Sequence, residues 1–209
     1  MTFHNIFSEF CYKVNLNDQI DVKLFEDSAY KCREIDSGVK ISNAGGWHSS
    51  IFNSFEHDDP KQKLISIIDD ELKIVSKKFG LDLRDKKRVG LSTFWFNING
   101  YKDYNKIHSH LKSIFSGVYY IKVPDKCGRL VLDSPAKELM RCYLDYWHLE
   151  EGEHNEYNAM IWNISPKPGD LLIFPSWVPH YTEPNMSNED RISFSFNSQV
   201  NPPRYNINK

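Results

Sequence analysis

The stretch Pro168-Gly169-Asp170-Leu171-Leu172-Ile173-Phe174-Pro175-Ser176-Trp177-Val178-Pro179-His180 decides how this chain is read. Pro168-Gly169 predicts a tight turn, because proline presets one turn position and glycine accepts a left-handed one. Residues 171–174 are apolar, short and bounded by turn residues, which fits a buried strand. Pro175 ends that strand, and the chain re-emerges with His180. Turn, buried strand and second turn ending in histidine form a far more specific signal than a lone histidine.

Upstream lies His108-Ser109-His110. In an extended segment residues i and i+2 point to the same face, so both imidazoles can reach one ion. Alone the motif is weak, because unbound histidines in an exposed turn have the same spacing. Pairing between the two segments would bring His180 beside His108. Downstream, Arg191-Ile192-Ser193-Phe194-Ser195-Phe196-Asn197 alternates polar and apolar residues. Arg191, Ser193, Ser195 and Asn197 share one face of that strand and Ile192, Phe194 and Phe196 the other. An arginine there can pair bidentately with a carboxylate, with a serine hydroxyl adding a bond. The alternative is a surface arginine neutralising Asp190 or Glu189.

Period-two runs recur at 91–97, 107–110, 117–123, 128–133, 160–165, 170–174, 180–183 and 191–199. Eight short strands with such punctuation predict a double-sheet jelly roll. Residues 136–157 break the rhythm with Leu139, Met140, Leu144 and Trp147 among many charges, and read as a partly helical insertion able to act as a lid. Before residue 90 the expected elements are a strand at 6–14, a helix at 22–33, a turn-rich stretch at 42–47 and a helix at 60–79. Asp59 would cap the second helix, Pro60 would suit its first position and Gly80 would end it, while Leu64, Ile67, Ile68, Leu72 and Val75 recur at helical spacing. The fold class is mainly β with flanking helices (α+β). A single domain over 1–209 is expected, with an N-terminal strand and helix layer (1–90) and a β core (91–200).

A chain of 209 residues fits one domain that buries roughly 70% of its unfolded surface. An aromatic share of 14% favours strands and a wide pocket. The net charge of -2, without a Lys/Arg block, argues against nucleic acid or an anionic membrane as partner. Without a signal-peptide pattern or a run of about 18 apolar residues, the expected location is the cytoplasm. Cys11, Cys32, Cys127 and Cys142 form no C-x-x-C pair and read as reduced thiols.

With these motifs in order, residues 91–200 resemble the 2-oxoglutarate/Fe(II) dioxygenases of the prolyl-hydroxylase-like kind, built on a double-stranded β-helix. Ser42-Asn43, Gly45-Gly46-Trp47-His48-Ser49, Ser116-Gly117-Val118-Tyr119-Tyr120 and Phe174-Pro175-Ser176-Trp177 look more narrowly like an uncharacterised subfamily of such oxygenases from bacteria and phages. The resemblance implies Fe(II), 2-oxoglutarate and O2, with release of succinate and CO2 and hydroxylation of a small-molecule or peptidyl substrate. By it, His108 matches the first metal ligand, His110 the place usually held by a carboxylate, and His180 the distal ligand. Arg191 matches the residue that pairs with the far carboxylate of 2-oxoglutarate, assisted by Ser193, Tyr120 and Asn97. The histidine at 110 departs from the pattern of two histidines and one carboxylate. Either three histidines hold the metal, or Asp133 or Asp103 supplies the carboxylate, or the metal is lost. Trp95, Tyr119, Trp177 and the insertion are candidates for shielding the pocket, with core packing the rival role for the two tryptophans, and His48 is a candidate for its mouth. Two rivals remain open. A cupin-type metal enzyme would not use 2-oxoglutarate and leaves Arg191 unexplained; a non-catalytic jelly-roll binding module would bind no iron tightly.

Overall fold

The computed structural model describes residues 2, 9–52, 59, 61–81, 88–144 and 155–201. In chain order they form β1 (Tyr12–Asn15), α1 (Val22–Ile35), β2 (Asn43–Ala44), β3 (Trp47–His48), α2 (Gln62–Phe79), β4 (Val89–Asn99) and β5 (Tyr104–Asn105). There follow β6 (Phe115–Lys122), β7 (Leu130–Asp133), α3 (Lys137–Leu144), β8 (Ile161–Ile164), β9 (Asp170–Pro175), β10 (His180–Thr182) and β11 (Arg191–Val200). The major sheet has the order β1-β9-β6-β11-β4-β3 and the minor sheet the order β10-β7-β8, with β2 and β5 forming a separate ribbon. Every pairing among these strands is antiparallel. This is the double-sheet jelly roll expected from the period-two runs, and the double-stranded β-helix that the resemblance implies.

β11 sits at the centre, paired with β4 on one side and β6 on the other. Its Ile192, Phe194 and Phe196 enter the larger core with Phe25, Leu64, Ile68 and Leu72 from the two long helices. Each such side chain, taken fully out of water, contributes about 1.5–3 kcal/mol. A second apolar cluster of Val118, Tyr120, Leu130, Leu132, Leu172, Phe174 and Val178 combines residues of both sheets. Gly117 lets β6 pass close to β11, since a Cβ there would lie 2.2 Å from Cζ of Phe196. The turn before β9 uses the left-handed Gly169, φ +80°, as the Pro-Gly pair predicts.

Asp21 caps α1, its carboxylate accepting the Lys23 and Leu24 N–H groups at 3.0 and 3.3 Å. Gly80 ends α2 with φ 85°. That helix starts at Gln62, and the Asp59 carboxylate accepts the N–H of Lys61, one residue before it. The expected first strand contracts to Tyr12–Asn15, residues 3–8 lying outside the described residues. The 107–110 strand is a correction: only His108 pairs, as an isolated bridge to His180, because the His110 N–H turns to Ser176 O instead. In the insertion, α3 confirms the partly helical reading, while residues 145–154, with Trp147, lie outside the described residues. No helix among the described residues is long and apolar enough to cross a membrane.

Candidate metal and anion site

One cavity between the sheets is lined by all seven expected site residues: Asn97, His108, His110, Tyr120, His180, Arg191 and Ser193. The face that could hold a metal forms through the bridge that joins the stretch before β6 to the start of β10. His108 N–H donates to His180 O at 3.0 Å and His180 N–H to His108 O at 2.9 Å. The ring centroids lie 4.4 Å apart for His108 and His180, 4.9 Å for His108 and His110, and 5.1 Å for His110 and His180. One ligand nitrogen from each lies within 4.8 Å of the others.

Two of the three rings are oriented by the backbone. Nδ1 of His108 meets Lys106 O at 2.6 Å, and Nδ1 of His180 meets Val178 O at 2.9 Å. An imidazole that donates Nδ1–H to a carbonyl leaves Nε2 unprotonated for a metal. Burial pushes the His180 imidazole down to about 3, with the His108 charge adding to it. Burial, then His108 and His48, push His110 down to about 4. Burial also lowers His108, against the bond to Lys106. All three are therefore neutral at neutral pH, the form a metal requires.

No carboxylate joins this group among the described residues. The Asp133 carboxylate is held by Lys137 Nζ at 3.0 and 3.1 Å. That of Asp103 accepts the Gly100 N–H at 2.9 Å. The donor set still fits iron, because imidazole suits Fe as well as Zn and Cu.

At the other end of the cavity Arg191 is 2% exposed. Its guanidinium donates to Cys127 O, to Glu183 O at 3.2 Å and to the Thr182 hydroxyl at 2.9 Å. These bonds use three of its five N–H donors and no carboxylate lies within 4 Å of it among the described residues. A buried cation without a counter-ion is costly unless a ligand supplies one. The surface pairing with Asp190 or Glu189 does not occur: Asp190 faces Arg33 and Glu189 faces Lys122. Nearby, Asn97 donates its amide to Ser195 Oγ at 3.0 Å, leaving Oδ1 buried with no partner. Tyr120 is buried beside Arg191, and burial raises its phenol, keeping it a neutral donor. These groups fit a carboxylate-bearing ligand.

Trp95 lines the cavity, its ring 5.7 Å from that of His110. Tyr119 and Trp177 do not. Tyr119 faces the larger core because it alternates with Tyr120, and Trp177 packs on Phe79 and donates to Glu9. His48 lies behind the site, 3% exposed and stacked 5.3 Å from Trp95. His4, His57, His148 and His154 lie outside the described residues. Sequence reasoning missed Asn99, Asn105 and Thr182, which also line the cavity. Thr182 stands two residues after His180 and Asn99 two after Asn97, so strand alternation was a usable signal for both. The Cys127 carbonyl that holds Arg191 is a backbone atom and leaves no trace in side-chain patterning.

Residues 93–197 match a family model described as "Putative 2OG-Fe(II) oxygenase". No curated protein matches the chain in sequence. Among solved structures, the fold is similar to a Pseudomonas putida prolyl-4-hydroxylase, with TM-score 0.55 and 16% identity over 90% of this chain and 91% of that one. It is also similar to the viral collagen prolyl hydroxylase of Paramecium Bursaria Chlorella virus-1 in its 2OG complex, with TM-score 0.56 and 14% identity over 91% and 96%. HygX from Streptomyces hygroscopicus, with nickel and 2-oxoglutarate bound, gives TM-score 0.56 and 10% identity over 92% and 83%. At these identities the likeness is one of fold.

Proposed function

Because this chain belongs to the 2OG-Fe(II) oxygenase family, we propose that it hydroxylates a C–H bond of a small-molecule or peptidyl substrate, with His108, His110 and His180 as the metal ligands. Its cofactor and cosubstrates are Fe(II), 2-oxoglutarate and O2. When bound, the iron would supply the oxidative decarboxylation of 2-oxoglutarate, in which one atom of O2 goes to succinate as CO2 leaves and the other to the oxidised substrate.

The chain's own residues bind and orient. Arg191 offers its two remaining N–H donors to the far carboxylate of 2-oxoglutarate, and Ser193 on the same strand and Tyr120 on the neighbouring β6 offer hydroxyls. Rotating the Asn97 amide by half a turn would let the Ser195 hydroxyl donate to Oδ1 and would aim an N–H into the cavity, the arrangement an anion selects. Trp95, Phe174 and Val118 line the cavity with apolar surface and exclude water from it. The observation that carries this reading is one cavity holding three clustered neutral imidazoles and a buried arginine with no carboxylate partner. A cupin-type reading leaves that arginine unexplained.

The test is anaerobic titration of the protein with Fe(II), followed by 2-oxoglutarate, watching the visible charge-transfer band of the chelate. The band is expected in the wild type, absent in His180→Ala and weakened in Arg191→Ala. Iron binding without a band would overturn the role given to 2-oxoglutarate in this site.

A further inference from the structure

The three histidines are not held alike. His108 and His180 each have Nδ1 fixed by a carbonyl two residues earlier. Among the described residues the His110 ring has no hydrogen-bond partner; its neighbours are the rings of Trp95, His108 and His180, and its backbone N–H donates to Ser176 O at 3.0 Å. Ligating histidines are ordinarily fixed by a bond to the second ring nitrogen, and loss of that bond typically weakens metal binding 10–100-fold. No carbonyl therefore sets the tautomer of His110, as one does for each of its two companions.

Charge points the same way. With three neutral histidines, Fe(II) and the dianion of 2-oxoglutarate cancel, and Arg191 leaves the loaded cavity with one positive charge. No Asp or Glu lines it. Of the carboxylates that act on Arg191 from outside, Glu183 is paired with Arg129, and Asp103, which accepts the Gly100 N–H, lies outside the lining. A net charge in a water-poor cavity favours binding of an opposite one.

Resting on the metal reading above, we infer that His110 is the exchangeable arm of the metal centre, and that the coordination position it covers takes an anionic donor, either a substrate carboxylate or a free anion. His108 and His180 are the permanent arms.

Co(II)-loaded protein tests this without turnover. Metal affinity is measured against a competing chelator for wild type, H108A, H180A and H110A, and azide is titrated into each loaded form while the visible Co(II) spectrum is recorded. H110A is expected to keep Co(II) within about tenfold of wild type, whereas H108A and H180A lose about a hundredfold or more. Azide is expected to bind about tenfold tighter to H110A than to H110D, whose own carboxylate supplies the charge. Loss of metal from H110A as steep as from H180A would overturn the exchangeable arm. Equal azide affinity in H110A and H110D would overturn the anion position. If H110A does not fold, wild type against H110D makes the same azide comparison. Formate binding tighter than chloride assigns the position to a substrate carboxylate, and the reverse to a free anion. The Fe(II)–2-oxoglutarate band stands apart: its absence would remove the proposed use of 2-oxoglutarate, while the Co(II) data still decide the role of His110.

Discussion

His108 and His180 exchange both of their main-chain hydrogen bonds, at 3.0 and 2.9 Å, so the two rings are brought to 4.4 Å by backbone pairing. The two proposed ligands are thus set side by side by the fold, which lowers the ordering cost of metal binding. Ligand binding to the native state alone stabilises by about 2.7 kcal/mol at a hundredfold excess over Kd. Fe(II), or Co(II) in air, should accordingly raise the thermal midpoint of wild type but not of His108→Ala or His180→Ala. An equal rise in all three would place the bound metal elsewhere.

Arg191 should be irreplaceable by lysine. A lysine ammonium cannot span Cys127 O, Glu183 O and Thr182 Oγ1 while presenting a planar pair of donors to a carboxylate. Arg191→Lys is expected to lose about 2–3 kcal/mol of 2-oxoglutarate affinity by calorimetry, with Fe(II) affinity nearly unchanged. Parallel loss of both would mean that the arginine acts through general folding.

Asp69 gives a pH signature of stability. It lies on α2, and burial raises its carboxyl above the ordinary 3.8 despite the bond from Leu91 N–H at 2.9 Å. The folded state therefore holds the proton more tightly than the unfolded one. Its contribution is fully present below 3.8 and is lost as pH rises through the raised folded value. Asp69→Asn keeps an oxygen for Leu91 and removes the charge. Urea midpoints should show the variant gaining on wild type between pH 3.5 and 7. A constant difference across that range would contradict the assignment.

Phe194 sits in the larger core, fully buried among Phe25, Phe94 and Phe96. Phe194→Ala should cost about 3–5 kcal/mol in denaturant unfolding, because neighbouring rings on a paired strand cannot collapse into the space. A cost below about 1 kcal/mol would mean that the site relaxes.

Much of the fold was legible because alternation is a local property: the 91–97, 170–174 and 191–199 runs became β4, β9 and β11 with modest changes at their ends. The two faces of β11 also follow from periodicity alone. The grouping of His180 with His108 was legible only as a possibility, since it depends on a bridge between distant segments. What escaped were features set by turns and backbone atoms: the Cys127 carbonyl on Arg191, the contraction of 107–110 to one bridge, and the burial of His48 behind Trp95. Tyr119 was misjudged because its neighbour Tyr120 shares its chemistry and only the register of β6 separates core from cavity.

β11 also has a consequence for how this chain tolerates change. Its even-numbered residues from Ile192 to Phe196 hold the molecule together, and its odd-numbered ones from Arg191 to Ser195 line the cavity. Variation along residues 191–196, before the register shift at Asn197/Ser198, should therefore separate by parity into lost protein and lost ligand, so that new specificities can be explored at Ser193 and Ser195 without threatening the scaffold.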